Sequence, residues 1–212
     1  MSSSDLNLEH LTPYLEKHID GFQGPIEATK FPTGQSNPTF LLKTPSKSYV
    51  IRRKPVGALL KSAHAVDREF RVIAALEGSE VPVPKTYHLC TDDEIIGSWF
   101  YVMSYVEGRI FWDPAFPEIP KIERSAYYDA MNDVLVALAT ISVQDIGLQD
   151  YGRSGNYFER QIVRWSKQYR FSETEIIPAM EALLEWLPEN VPRGDERITL
   201  VHGDFRLDNL IF

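Results

Sequence analysis

The segment VHGDFRLDN, residues 201–209, sets charged and amide side chains at fixed spacing between apolar neighbours. Asp204 and Asn209 stand five positions apart, and the chain continues as Leu210–Phe212. One loop of this kind can present a proton acceptor beside an oxygen ligand, and Mg²⁺ is a hard cation that takes oxygen ligands. The segment therefore predicts a site that pairs a base with a metal ligand. A polar turn between two strands is the alternative.

The same spacing of aspartate and asparagine occurs in the catalytic loop of protein kinases. In that loop the aspartate accepts the proton of the attacking hydroxyl, and the asparagine helps to hold Mg²⁺. By this likeness Asp204 is the candidate catalytic base and Asn209 the candidate metal ligand. Arg206 lies in the same loop, where a cation can stabilise charge on a transferred phosphoryl group. We expect His202 to hold the loop through hydrogen bonds.

Composition narrows the class of protein. The 212 residues include 22 Lys and Arg against 30 Asp and Glu, a formal net charge of −8, which argues against a nucleic-acid partner. Cys90 is the single cysteine, so no internal disulfide can form, and we expect a small buried hydrophobe there. The N-terminus does not resemble a secretory signal, and the longest apolar run is too short to span a bilayer. We therefore expect a cytoplasmic protein without a membrane partner.

The order of secondary structure predicts an α+β fold rather than a doubly wound sheet. Runs of β-prone residues, 39–44 and 48–54, are separated by Pro-Ser-Lys, which indicates a hairpin. Helical spacing of apolar residues follows in 64–77. The further predicted elements are a helix over 6–19 that crosses Pro13, extended segments at 81–93 and 97–108, and helices over 122–143, 157–171 and 173–187. The change from extended to helical segments predicts two parts, a β-rich part at 1–105 and a helical part at 106–212.

With these elements in place, VHGDFRLDN resembles the catalytic loop of the aminoglycoside phosphotransferase and choline kinase superfamily. The resemblance extends over nearly the whole chain, and is strongest to the branch of kinase-like domains associated with acyl-CoA dehydrogenases. It is carried by FPTGQSNPTFLL, YVIRRKPVG, DREFRVIAAL, FYVMSYVEGR and GNYFERQIVRWSKQY. It implies a protein-kinase-like fold of two lobes, with a β-rich N-lobe and an incomplete helical C-lobe, and ATP and Mg²⁺ as cofactors.

The resemblance also implies a nucleotide site in the β-rich part. Gly34, Gln35, Ser36 and Asn37 would form the loop over the ATP phosphates, although a G-x-G-x-x-G pattern is absent. A plain turn is the alternative for these residues. Met103 and Tyr105 belong to the hinge, 103–106, whose backbone would bind adenine; an apolar strand explains the same residues without a ligand.

Arg52 occupies the position at which kinases place a strand lysine that contacts the α- and β-phosphates. Glu69, on the following predicted helix, is its expected ion-pair partner. Arginine in place of lysine is a departure from the family pattern, because a planar fork differs from a point charge. Arg53 is the adjacent candidate, and strand alternation allows only one of the two to face the site. A solvated strand edge is the alternative for both.

The resemblance implies an ATP-dependent kinase that phosphorylates a hydroxyl of a small molecule, with a hydroxyacyl-CoA thioester as candidate acceptor rather than an aminoglycoside. A basic stripe on the predicted helix 157–171, formed by Arg160, Arg164 and Lys167, would suit an anionic acceptor, although a solvated face explains it too.

No aspartate follows Phe212 to serve as the second metal ligand of a kinase-like site. We therefore expect the chain to be the front part of a longer protein, inactive in phosphotransfer by itself. A non-catalytic nucleotide-binding or interaction module is the alternative function.

Overall fold

The structure, a computed structural model, describes residues 6–32, 37–55, 65–152, 155–191 and 198–212. It has the predicted α+β architecture, in which a five-stranded antiparallel sheet is combined with helices. The strands are β1 (Glu27–Lys30), β2 (Thr39–Lys43), β3 (Ser48–Arg53), β4 (Thr86–Cys90) and β5 (Phe100–Ser104), in the order β1-β2-β3-β5-β4. The helices are α1 (Leu8–His18), α2 (Val66–Leu76), α3 (Asp93–Ile96), α4 (Arg124–Thr140), α5 (Tyr157–Ser172) and α6 (Pro178–Glu189), followed by a short 3₁₀ turn at Leu207–Asn209.

The hairpin predicted between the first two β-prone runs is present as β2 and β3. Lys43 lies opposite Ser48. The Thr44 hydroxyl donates to the Lys47 carbonyl and accepts from the Lys47 N–H, and these two hydrogen bonds close the turn. β3 also pairs with β5, so it is a central strand and not the solvated edge that the sequence left open for Arg52 and Arg53.

One face of the sheet carries the main core, which α1 covers. Leu11 and Leu15 of α1 are fully buried in the same cluster as Leu42, Ile51 and Val102 of the sheet. The helix continues across Pro13, and the Thr12 hydroxyl donates to the Leu8 carbonyl one turn earlier. Cys90 lies in this core at 1% exposure, as predicted for a small hydrophobe.

The opposite face of the sheet faces α2. Side chains alternate along a strand, so Val50 and Arg52 lie on the face opposite to Tyr49, Ile51 and Arg53. The helix contacts β4 and β5, and the ring of Phe70 packs edge-on against Tyr101 with centroids 6.0 Å apart. This face carries the polar residues of the candidate site.

A second, smaller cluster forms beyond the sheet. Phe111, Phe116 and Ile119 are buried together with Leu207 from the C-terminal segment, and Tyr127 and Phe212 pack against them. Leu207 therefore fixes the predicted catalytic segment to the residues that precede α4.

The described residues group into two compact units, one of residues 1–138 with 202–212 and the other of residues 139–201. The division into functional lobes at residues 105–106 stays a prediction. In the second unit α5 contacts α6, and Arg170 holds Glu181 with two hydrogen bonds of 2.5 and 2.6 Å. Phe158 and Trp165, on the predicted apolar face of α5, are each 54% exposed. Among the helices that the structure describes, none is both long and apolar enough for a membrane span.

Candidate active site

The C-terminal segment is anchored at two points, Leu207 and Phe212. Arg109 and Phe212 exchange two backbone hydrogen bonds, of 2.8 and 2.9 Å, beside the buried Leu207. Gly108 is required at this crossing, because a Cβ there would lie 2.5 Å from Ile211 Cγ2 and 2.6 Å from the Phe212 carbonyl oxygen. The loop that carries Asp204 and Asn209 is therefore held by Leu207, which is buried within it, and by the pairing of Phe212 just after it.

Asp204 and Asn209 meet within this loop. The Asn209 Nδ2 donates to the backbone carbonyl of Asp204 at 2.9 Å and to its carboxylate Oδ2 at 3.0 Å. Gly203, with φ of +80°, makes the preceding turn, and the Asp204 N–H donates to His202 Nδ1 at 3.3 Å. Asp204 and Asn209 are both exposed, so the arrangement is ordered yet open to a ligand.

Arg206 pairs with Asp208 in the same loop. Its guanidinium donates from Nε to Oδ1 and, at 2.5 Å, from Nη2 to Oδ2, while its side chain is 61% exposed. The arginine holds the pKa of the Asp208 carboxyl below its ordinary value through these hydrogen bonds. The sequence did not identify Asp208 as a partner of Arg206.

Glu69 is the centre of a second polar cluster, on the sheet face that α2 covers. Its Oε2 accepts from Arg52 Nε at 2.7 Å and from the Tyr101 hydroxyl at 3.2 Å, and its Oε1 accepts from Asn37 Nδ2 at 2.7 Å. The Arg52 and Glu69 side chains are 28% and 34% exposed, whereas Asn37 and Tyr101 are buried. Three residues that are distant in sequence, Asn37, Arg52 and Tyr101, thus converge on the carboxylate of Glu69.

Strand alternation separates Arg52 from Arg53. Arg52 lies on the face of Glu69, whereas Arg53, 8% exposed, lies on the other face and donates to the Ile96 carbonyl at 3.4 Å. Of the two arginines, Arg52 is the one that the structure brings to the Glu69 cluster.

The structure describes only some of the other residues that were predicted to bind the nucleotide. Gly34, Gln35 and Ser36 lie outside the described residues, and Asn37 directs its side-chain amide at Glu69. Met103 lies within β5 opposite Val50, and Tyr105 follows the strand at 42% exposure.

Sequence reasoning missed Tyr101 and Thr39. Thr39 accepts a hydrogen bond from Arg52 Nη1 at 3.1 Å, and it lies opposite Arg52 in the β2–β3 register, as Tyr101 does in the β3–β5 register. Strand register is the feature that would identify Thr39 and Tyr101, and a linear pattern of β-prone residues does not contain it.

Comparison with known proteins finds a matching family and similar relatives. The family model described as "Phosphotransferase enzyme family" matches residues 27–212. Acyl-CoA dehydrogenase family member 10 of Mus musculus is 48% identical over 203 residues, which cover 93% of this chain and 19% of that protein. Acyl-CoA dehydrogenase family member 11 of Homo sapiens is 45% identical over 206 residues, which cover 95% of this chain and 26% of that protein.

Solved structures share the fold. A crystal structure from Ralstonia eutropha, of a protein provisionally named an aminoglycoside phosphotransferase, has a TM-score of 0.87 and 50% identity, covering 98% of this chain and 60% of its own. An aminoglycoside phosphotransferase solved with streptomycin and ATP has a TM-score of 0.65 at 21% identity, covering 98% of this chain and 66% of its own. The chain spans about a fifth to a quarter of the length of the two dehydrogenase-family relatives.

Proposed function

This chain belongs to the phosphotransferase enzyme family, and on that premise we propose that it provides the base and nucleotide site of an ATP-dependent kinase. The reaction moves the γ-phosphoryl group of ATP onto a hydroxyl of a small molecule. The single observation that carries the proposal is the contact between Asp204 and Asn209 in an exposed, anchored loop.

The direction of that contact matters. Asn209 uses its amide nitrogen toward Asp204, and its Oδ1 accepts no hydrogen bond from the residues that the structure describes. An amide oxygen that accepts no hydrogen bond from these residues can serve as a ligand of a hard cation. The Asp204 Oδ1 is likewise without a donor among the described residues, which leaves it available to a substrate hydroxyl.

Asn209 Oδ1 is the group that would hold Mg²⁺. The described residues contain no group of three or more His, Cys, Asp or Glu side chains arranged around a metal. That finding fits magnesium at a kinase site, where one or two protein oxygens act together with waters and substrate phosphates. When bound, Mg²⁺ would neutralise charge on the phosphate oxygens.

Asp204 performs the proton transfer in this proposal. It accepts the proton of the acceptor hydroxyl as that oxygen forms a bond to the γ-phosphorus, and the bond from phosphorus to the bridging oxygen of ADP breaks. Arg206 stabilises the charge on the transferred group. The Arg206 side chain is 61% exposed, so its guanidinium can exchange the contact with Asp208 for one with a phosphate.

The nucleotide end of the site lies on the sheet. Arg52, held by Glu69, contacts the α- and β-phosphates. The same phosphates are the ligands proposed for Gly34, Gln35, Ser36 and Asn37, of which the structure describes Asn37. Backbone groups near Met103 and Tyr105 bind adenine. The ion pair of Arg52 and Glu69 at 2.7 Å supports this assignment, because an arginine anchored on one side presents its remaining donors in a fixed direction.

A hydroxyacyl-CoA is the acceptor that we propose. The support is the match to relatives named as acyl-CoA dehydrogenase family members at 45–48% identity.

A thermal-shift experiment with ATP tests the nucleotide site. We expect a rise in the unfolding temperature that requires Mg²⁺ and that Asn209→Ala removes. Asn132→Ala, which alters an exposed asparagine on α4, is the matched control and should keep the rise. No response of the wild-type chain to ATP would favour an interaction module instead.

Phosphoryl transfer is tested on the full natural protein that carries this chain. Radiolabelled ATP should transfer its γ-phosphate to a hydroxyacyl-CoA and not to the matching acyl-CoA that lacks the hydroxyl. Transfer of the label to an aminoglycoside but not to the thioester would contradict the proposed acceptor and would leave the proposed kinase activity standing.

A further inference from the structure

We propose that Tyr101 is a positioning residue of the nucleotide site, and that it acts by holding Glu69 so that Arg52 turns its Nη2 toward the phosphates of a nucleoside di- or triphosphate. This inference rests on the proposed function. It adds Tyr101, which the sequence did not identify, to the residues of that site.

The first support is a polar row across the sheet. Thr39, Arg52 and Tyr101 lie directly opposite one another on the adjacent strands β2, β3 and β5. Directly opposed residues of antiparallel strands project from the same face and approach within about 5 Å. The three side chains are therefore placed together by backbone register, on the face that α2 covers.

Glu69 is held over this row by three donors. Tyr101 and Arg52 both donate to Oε2, at 3.2 and 2.7 Å, while Asn37 donates to Oε1 at 2.7 Å. A carboxylate that accepts on both oxygens cannot rotate without breaking a contact. Removing the tyrosine hydroxyl leaves Oε2 with Arg52 alone.

The tyrosine is suited to this role because it stays protonated. Its side chain is 2% exposed, and burial, with the Glu69 charge next, raises the pKa of its hydroxyl well above the ordinary value. At neutral pH the group is therefore a donor, and Glu69 is the acceptor that it reaches.

Two nitrogens of Arg52 bind other residues of the protein, and the third is the one that we assign to the phosphates. Nε donates to Glu69 and Nη1 to the Thr39 hydroxyl at 3.1 Å, whereas Nη2 makes no hydrogen bond to the residues that the structure describes. Because the guanidinium is planar, two contacts fix the direction of the third nitrogen. A lysine has all its donors on one atom and cannot separate the two tasks.

The test compares Tyr101→Phe with Tyr49→Phe by titration calorimetry against Mg·ADP, Mg·ATP and adenosine. Tyr49 is equally buried on the neighbouring strand, but it lies on the opposite face of the sheet, away from Glu69. We expect Tyr101→Phe to weaken ADP and ATP binding by about 3- to 10-fold, the worth of one hydrogen bond, with adenosine changed by less than about twofold. Tyr49→Phe should change none of the three by more than about twofold.

A double-mutant cycle shows whether Tyr101 acts through Arg52. In an Arg52→Ala background, Tyr101→Phe should have no further effect on ADP affinity, and Thr39→Val should behave in the same way. Equal weakening of adenosine and ADP, or additive effects with Arg52→Ala, would overturn the positioning role. A wild-type chain that binds none of the three ligands would instead defeat the proposed function.

Discussion

Arg52 and Arg206 each pair with a carboxylate, but the two pairs are built differently. Arg52 reaches Glu69 from a central strand to a helix, and both side chains are about one-third exposed or less. Arg206 reaches Asp208 two residues away in an exposed loop, with its side chain 61% exposed. The first pair exists only because the sheet and α2 have packed, whereas the second needs little beyond the local loop. The two pairs therefore differ in how far each depends on tertiary packing.

Asp204→Asn should produce the largest effect of any single change. Without a carboxylate to accept the hydroxyl proton, kcat of phosphoryl transfer by the full natural protein should fall by about 10²- to 10⁴-fold. Stability should change little, since Asp204 is exposed. Radiolabel transfer from ATP measures the rate, and Asp133→Asn on the exposed side of α4 is the control. Retention of near-normal kcat would rule out Asp204 as the base.

Gly108→Ala tests whether the loop is anchored by its paired end. The added Cβ would lie within 2.6 Å of the Phe212 backbone, so the Arg109–Phe212 pairing must shift. We expect a loss of about 1–3 kcal/mol in the free energy of unfolding, the usual cost of an overpacked contact. Urea denaturation measures it against Gly152→Ala, where an added Cβ meets no atom within 4 Å. Equal stability of the two variants would show that the pairing does not hold the loop.

Glu69→Gln tests the less exposed of the two ion pairs, the one between Arg52 and Glu69. The charge of Arg52 would lose its partner in a partly desolvated place, while the shape of the side chain is kept. The pair is about one-third exposed, so we expect a loss of about 1–2 kcal/mol, less than for a fully buried pair. Urea denaturation measures it, with the exposed Glu80→Gln as control. A variant as stable as Glu80→Gln would mean that solvent already screens the Arg52 charge.

Asp208→Asn should have the smallest effect. Arg206 lowers the pKa of Asp208, so any stabilisation is present at neutral pH and is lost as the pH falls through that lowered value. The Arg206 side chain is 61% exposed and that of Asp208 14%, and a pair with one well-solvated partner contributes little. The urea midpoint at pH 7 should therefore match that of the wild-type chain. A clear destabilisation at pH 7 that shrinks as the pH is lowered would show that the loop depends on this pair.

Much of the fold follows from local pattern. The hairpin of β2 and β3 was predictable because turn residues separate two β-prone runs, and α2 because its apolar residues repeat at helical spacing. The helix boundaries moved by a few residues; α6 begins at Pro178 rather than at 173, because proline fits the first helical turn.

The exposure of α5 was not predictable from its pattern. Phe158 and Trp165 mark an apolar face in the sequence, yet none of its residues is buried in the structure. Amphipathic spacing shows which face could be covered, but it contains no information on what covers it.

The sequence by itself determined the pairing of Asp204 with Asn209, since five residues of one short loop can bring two side chains together without help from elsewhere. It also restricted Arg52 and Arg53 to opposite faces, because side chains alternate along a strand. Only the tertiary structure decided which face each took, and only strand register placed Thr39 and Tyr101 beside Arg52. Register depends on the packing of whole strands and of α2 against them, a non-local balance that no short window of sequence contains.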